Sequence, residues 1–358
     1  MKFRTIVASC TNEYPIHIGS NLLNKSDFKK NRLVLIADAN VADLHGQKFL
    51  DCLAGNVELY LKVTPGEESK TRTTKQVLED KLLAKNLGRD IMILAIGGGM
   101  VCDLVGFLAA TYCRGVPVIY WPTSLLAMVD AAIGGKVAVN TQFSKNSIGV
   151  FATPYAVWSD VSLLKTLPKQ EFSAGMVEVI KHAVISDKDF FYKLLYRNLD
   201  VINLKELALI EMIEKSCQIK NSIVSQDVYD LGIRSILNFG HTVGHAIEQA
   251  ANYQIKHGEA IALGMLIETY IAISLGTAEH TLISVLKDIF KAYAIPLNKQ
   301  YLQDPSLLLK YMHTDKKNTK QQINMVLIEN IGETYCDNGY YTHPVSEELI
   351  LEALHWAQ

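Results

Sequence analysis

The chain has 358 residues, 49% of them hydrophobic and 20% charged, with a formal net charge of −2. That length argues for two domains at roughly 100–200 residues each, and the composition is globular, which excludes a disordered chain. The near-neutral balance carries neither the basic excess of a nucleic-acid binder nor an acidic tail, so no nucleic-acid partner is expected.

The N-terminal stretch MKFRTIVASCTNEYP has too short an apolar run for a signal peptide. Six cysteines, Cys10, Cys52, Cys102, Cys113, Cys217 and Cys336, form no CxxC pair; their scatter reads as reduced thiols, and the cytoplasm is the expected location. Four strand-length runs follow in the first half: 33–38 (LVLIAD), 57–63 (VELYLKV), 91–96 (IMILAI) and 117–121 (PVIYW). Helical patterns separate them, which implies a parallel sheet covered on both faces. From about residue 169 the pattern is helical through EFSAGMVEVIKHAVI, LKELALIEMIEKSCQIKNSIV, HTVGHAIEQAAN and TLISVLKDIFKAY. The most apolar long segment, 260–276, contains Glu268 and reads as a buried core helix, so no membrane span is expected. Only 323–328 (INMVLI) returns to a strand pattern. The chain therefore reads as an α/β Rossmann-like domain over 1–165 and a mostly helical domain over 166–358.

The run IMILAI leads straight into Gly97-Gly98-Gly99 and then a helix. Strand, glycines and helix together let backbone N–H groups meet a pyrophosphate at a helix N-terminus, although the GxGxxG fingerprint is absent. In the second half, His241 and His245 stand four apart and share a helix face. The spacing is that of HExxH, but Thr242 follows the first histidine, so the general base of a zinc protease is missing. His257 opens the next helix, and Glu178 lies in an apolar surround where an unpaired charge is expensive. A catalytic zinc takes three protein ligands and one open position. Patterning alone leaves open which three of these groups ligate.

Eight blocks then occur in order: PGEESK (65–70), GGGMVCDLVGFLAATYCRG (97–115), PTSLLAMVDAAIGGK (122–136), KNSIG (145–149), LLKTLP (163–168), AGMVEVIKH (174–182), GIRSILNFGHTVGHAIE (232–248) and HGEAIALGM (257–265). Together they resemble the 3-dehydroquinate synthases, lyases of the shikimate pathway within the sugar-phosphate cyclases. The resemblance implies that Glu178, His241 and His257 hold a divalent metal, Zn2+ or Co2+, while His245 stays off it as a proton-handling group. It implies NAD in the N-terminal domain, on Asp38, on Pro65, Gly66, Glu67, Glu68, Ser69 and Lys70, and on Gly98, Gly99, Met100, Val101, Cys102 and Asp103. Thr123, Ser124, Lys136, Lys145, Leu163, Leu164, Lys165 and Thr166 complete that set.

The implied substrate, 3-deoxy-D-arabino-heptulosonate 7-phosphate, bears a carboxylate and a phosphate. Cations for it would come from Lys136, Lys181, Lys220, Arg234 and one lysine of the pair Lys316 and Lys317, with Asn146 and Asn238 as neutral donors and Asp130 and Asp230 as acceptors. Arg114 would reach the site of a neighbouring subunit, implying a homodimer. The implied reaction oxidises the substrate transiently with NAD, eliminates phosphate, returns the hydride and closes the ring by an intramolecular aldol step. Departures from the family pattern fall at Ala131, Ala132, Val137, Ala138 and Asp230. Two other activities on a related scaffold stand as alternatives: a cyclase acting on sedoheptulose 7-phosphate, and a metal-dependent polyol dehydrogenase with net NADH production.

Overall fold

Continuous apolar runs in the first half assemble into one sheet because a strand buried on both faces has no polar side to turn outward. In the computed structural model, which describes residues 3–25, 32–313 and 322–358, the strands are β1 (Arg4–Ser9), β2 (Glu13–Gly19), β3 (Arg32–Asp38), β4 (Val57–Val63), β5 (Ile91–Gly97) and β6 (Val118–Pro122). A hairpin of β7 (Lys136–Val139) and β8 (Ile148–Phe151) then precedes β9 (Ala156–Asp160). The sheet order is β1-β2-β9-β6-β5-β3-β4. Six of these strands are parallel, and β1 pairs antiparallel with β2 at one edge, so the expected parallel sheet carries one antiparallel strand. All seven residues of β5 are buried, as its central place requires. The helices α1 (Ala39–Cys52), α2 (Arg72–Ala84) and α3 (Gly99–Thr111) follow β3, β4 and β5.

Four helices come next: α4 (Lys169–Ser186), α5 (Lys188–Tyr196), α6 (Asn198–Ile202) and α7 (Glu206–Val224). The chain divides into two compact units, Met1–Leu167 with Leu204–Val228, and Pro168–Asn203 with Tyr229–Gln358. Helix α7 thus belongs with the sheet, against β1, β2 and the short turn at Ala127–Ala131. Asn221 accepts a hydrogen bond from the Ser9 backbone N–H at 2.8 Å, and the Cys217 thiol donates to the Met128 carbonyl at 3.4 Å.

The second unit is built on α8 (His241–Ala250), α9 (His257–Ser274), α10 (Thr281–Ala292), α11 (Pro305–His313) and α12 (Glu347–Ala357). Helix α9 is buried almost throughout, as the apolar segment around Glu268 predicts. Among the described residues no helix is long and apolar enough to cross a membrane. The strand pattern at 323–328 resolves into two pieces, β10 (Ile323–Met325) and β11 (Ile328–Asn330). These pair in separate two-stranded sheets with β13 (His343–Val345) and β12 (Glu333–Thr334), while the intervening Val326 and Leu327 are buried between them in sequence.

Candidate active site

In the first unit, most of the residues expected to meet NAD share a topological address. Asp38 ends β3, the turn from Pro65 to Lys70 follows β4, Gly98 to Asp103 follow β5, Thr123 and Ser124 follow β6, and Leu163 to Thr166 follow β9. Every one of these strands is parallel to its neighbour, so all five segments lie beyond the same, C-terminal, edge of the sheet, where open α/β sheets bind ligands. The N-terminus of α3 begins at Gly98, and no side chain caps it. A Cβ on Gly99 would come 3.0 Å from the Ala131 Cβ, so the backbone runs close there. An uncapped helix N-terminus reached through glycines suits the pyrophosphate of NAD. Asp38 has a job that the sequence did not disclose: its carboxylate caps α1, accepting from the N–H groups of Asn40 at 2.9 Å and Val41 at 3.3 Å.

A polar cluster ties this edge together. Lys70, 3% exposed, donates to Asp103 and, at 2.6 Å, to the Asn146 Oδ1. Its ammonium also lies 3.6 Å from Glu67. Burial opposes the Lys70 charge, but the carboxylates of Asp103 and Glu67 outweigh it and hold its pKa above the ordinary value. Asn140, which the sequence reading did not single out, organises the loop: it donates to Glu67 at 2.7 Å and accepts from the Asn146 N–H at 3.0 Å. Asn146 therefore joins the cofactor-side cluster through Lys70. Nearby in sequence, Lys145 is half-buried and Lys136 is exposed at the start of β7. Lys165 pairs with Glu206 at 3.1 Å.

Asp130 and Lys220, expected at the substrate, are brought together. The Lys220 ammonium donates to the Asp130 carboxylate and, at 2.8 Å, to its carbonyl. Here the return of α7 to the first unit is what delivers Lys220. Arg114 stands exposed after α3, with φ +66° following Cys113 at +49°. Two successive left-handed non-glycine residues are costly backbone, of a kind that concentrates at functional sites.

In the second unit, three helices converge through glycine contacts. A Cβ on Gly258 at the start of α9 would lie 2.1 Å from the Ala174 carbonyl oxygen of α4, and one on Gly264 would lie 2.0 Å from the Gly240 carbonyl oxygen just before α8. Glycine at these positions lets the backbones touch. The convergence brings Glu178 of α4, His241 of α8 and His257 of α9 together, with one donor atom of each within 4.8 Å of the others. The Glu178 Oε1 lies 3.7 Å from the His241 Nε2 and 3.6 Å from the His257 Nε2. Tetrahedral zinc with bonds of about 2.0–2.1 Å sets its donors about 3.3–3.4 Å apart, so the two distances to Glu178 lie within a few tenths of an ångström of ligand spacing.

The surroundings answer the question of the charge on Glu178. Lys181, one turn along α4 and also buried, pairs with its second oxygen. The His241 Nδ1 lies 3.1 Å from the Phe239 carbonyl and donates to it, which leaves Nε2 for ligation. Burial works against a charged His257, but Glu248 and then Glu178 outweigh it and push its pKa up to about 10. Ligation needs the neutral ring, so metal and proton compete for it. His245 lies one turn beyond His241 on α8, their rings 5.3 Å apart. Arg234 is buried in the turn at Ile233–Asn238, which Asn238 ends. Lys316 and Lys317 fall outside the described residues.

Glu268 is the second carboxylate whose role the sequence hid. Fully buried on α9, it accepts from the N–H groups of Gly240 at 2.6 Å and Val243 at 3.3 Å, at the start of α8. A charge inside an apolar helix must find partners, and here they are the first turn of the helix that carries His241. Glu268→Ala should lower stability by about 2 kcal/mol through these lost bonds; a urea midpoint unchanged from the parent would refute the role.

Similarity to known proteins agrees with this geometry. The family model "3-dehydroquinate synthase N-terminal" matches residues 60–174, and "3-dehydroquinate synthase C-terminal" matches residues 175–318. The chain belongs to the 3-dehydroquinate synthase family. A 3-dehydroquinate synthase of Shewanella loihica is 38% identical over 350 residues, covering 95% of this chain and 96% of that protein. One from Dehalococcoides mccartyi is 40% identical over 330 residues, covering 90% and 91%. Among solved structures, a 2-deoxy-scyllo-inosose synthase in complex with carbaglucose-6-phosphate, NAD+ and Co2+ superposes with a TM-score of 0.89 at 26% identity, over 99% of each chain.

Proposed function

We propose that the protein converts 3-deoxy-D-arabino-heptulosonate 7-phosphate to 3-dehydroquinate and phosphate, as an NAD- and metal-dependent carbon–oxygen lyase of aromatic amino acid biosynthesis. The observation that carries this reading is the Glu178, His241 and His257 trio, built on a fully buried Glu178, in a chain that matches both family models. Bound there, a divalent metal would supply a Lewis acid for a substrate hydroxyl and NAD a reversible hydride acceptor. Glu178, His241 and His257 would hold the metal. The uncapped start of α3 and the Lys70 cluster would hold the dinucleotide.

The remaining work falls to the chain's own groups. Lys220, Arg234, Lys181 and Lys136 would neutralise the substrate carboxylate and phosphate. Asp130, already fixed by Lys220, would accept from a substrate hydroxyl. His245 would take and return a proton at its imidazole, and so it must stay clear of the metal. Phosphate would leave by β-elimination, taking the electron pair of its carbon–oxygen bond, while the proton lost from the neighbouring carbon passes to the departing phosphate. Holding a flexible substrate in one reactive geometry would itself lower the barrier. A homodimer in which Arg114 reaches the neighbouring site belongs to the same reading; its exposure and its costly backbone support it.

The test is phosphate release from the seven-carbon keto-acid phosphate with NAD and Zn2+ present, while NADH absorbance is followed. Phosphate should appear without NADH accumulating. NADH build-up on a simple polyol, with no phosphate released, would instead make the protein a dehydrogenase. Turnover of sedoheptulose 7-phosphate in preference to the keto acid would move it to the other cyclases.

A further inference from the structure

The two nitrogens of His257 face two different carboxylates. Nε2 lies 3.6 Å from the Glu178 Oε1, and Nδ1 lies 3.4 Å from the Glu248 Oε2. Glu248 is 5% exposed. On α8 it stands seven residues after His241 and three after His245, so the helix presents all three on one side. Donor atoms of His245, Glu248 and His257 also fall within 4.8 Å of one another, which offers a second possible ligand trio. The two trios share His257, whose Nε2 is turned to Glu178 and whose Nδ1 is turned to Glu248. Orientation decides between them. His241 has its Nδ1 engaged by a backbone carbonyl, which aims its Nε2 at Glu178. A carboxylate on the His257 Nδ1 does the same for the second ring, and ligating histidines are characteristically held this way.

We propose that Glu248 is a positioning residue: it holds the Nδ1–H of His257 and thereby presents Nε2 to the metal beside Glu178 and His241. The inference rests on the metal reading above. In this reading Glu248 acts through the ring of His257.

The experiment titrates the chelator-stripped full-length protein with Co2+ and records the visible d–d bands. Glu248→Ala should bind Co2+ about 10- to 100-fold more weakly than the parent, the range for such supporting residues. Glu248→Gln, which keeps the volume and one acceptor oxygen but loses the charge, should fall between the two, and both should keep the parent's band positions once saturated. A role in filling space would leave Glu248→Gln at parental affinity, and that result would overturn the proposal. So would band positions that change at saturation in both variants, since Glu248 would then be a ligand itself. Unfolding midpoints of the stripped proteins show whether the variants are folded, and Glu248→Gln keeps the test open if Glu248→Ala is not. His241→Ala is measured alongside. If it too binds Co2+ like the parent, the metal site is misassigned; if it loses Co2+ while the Glu248 variants do not, only the role of Glu248 fails.

Discussion

His241→Ala should leave the purified protein without its metal, whereas His245→Ala should retain the metal and lose turnover by about 100- to 10,000-fold. The two residues are alike in sequence and sit on the same helix face, yet their settings differ. The His241 Nε2 faces the Glu178 carboxylate at 3.7 Å, and its other nitrogen is tethered to the Phe239 carbonyl. Removing it leaves two ligands where three are needed. His245 is one turn farther along, its ring 6.2 Å from that of His257, and it is only partly buried. Its removal spares the Glu178, His241 and His257 trio and, on the proposed mechanism, deletes a proton carrier. Metal content of the two variants, set beside their phosphate-release rates, separates the roles. Equal metal loss in both would mean that the helix pair grips the metal together.

Gly264→Ala should be among the most disruptive single methyl additions in the second unit. Its Cβ would sit 2.0 Å from the Gly240 carbonyl oxygen and 2.9 Å from the Gly244 nitrogen. Both neighbours are backbone, so no side chain can rotate away, and α8 and α9 must part. Overpacking costs typically 1–3 kcal/mol, and a clash with backbone falls at the upper end, about 3 kcal/mol. For a unit of this size that corresponds to a fall in Tm of roughly 6–12 °C. Metal affinity should fall with it, since the same two helices carry His241 and His257. A thermal scan showing a shift of a degree or less, with Co2+ binding intact, would mean that the helices separate at little cost.

The site was more legible in the sequence than its supports. Strands β3, β5 and β6 declare themselves because burial on both faces demands unbroken apolar runs; β4, at the sheet edge, alternates instead. The hairpin of β1 and β2 did not, since its half-exposed, alternating residues (RTIVAS, EYPIHIG) lack such a run. Helix α7 was legible as a helix, but periodicity does not say which surface a helix covers. That choice rests on partners distant in sequence, Ser9 and Asp130 among them. The candidate ligands stood inside quotable motifs. Glu248 and Glu268 act on atoms that no motif displays: one ring nitrogen and two backbone N–H groups. A usable signal existed for Glu268, the lone carboxylate in the apolar segment 260–276. For Glu248 it was the seven-residue step from His241.

Protein synthesis meets this architecture in an awkward order. The ribosome releases all seven strands of the sheet by Asp160, but α7, which lies against β1 and β2, ends only at Val224. Three helices of the other unit are made in between. For that interval the growing chain carries an uncovered stretch of sheet, a surface that invites wrong partners. A gene fragment stopped at Leu167 would make the condition permanent and would leave Asp130 without Lys220. A nucleotide-binding half intended to stand alone is therefore better built by grafting 204–228 onto the end of the sheet than by truncation.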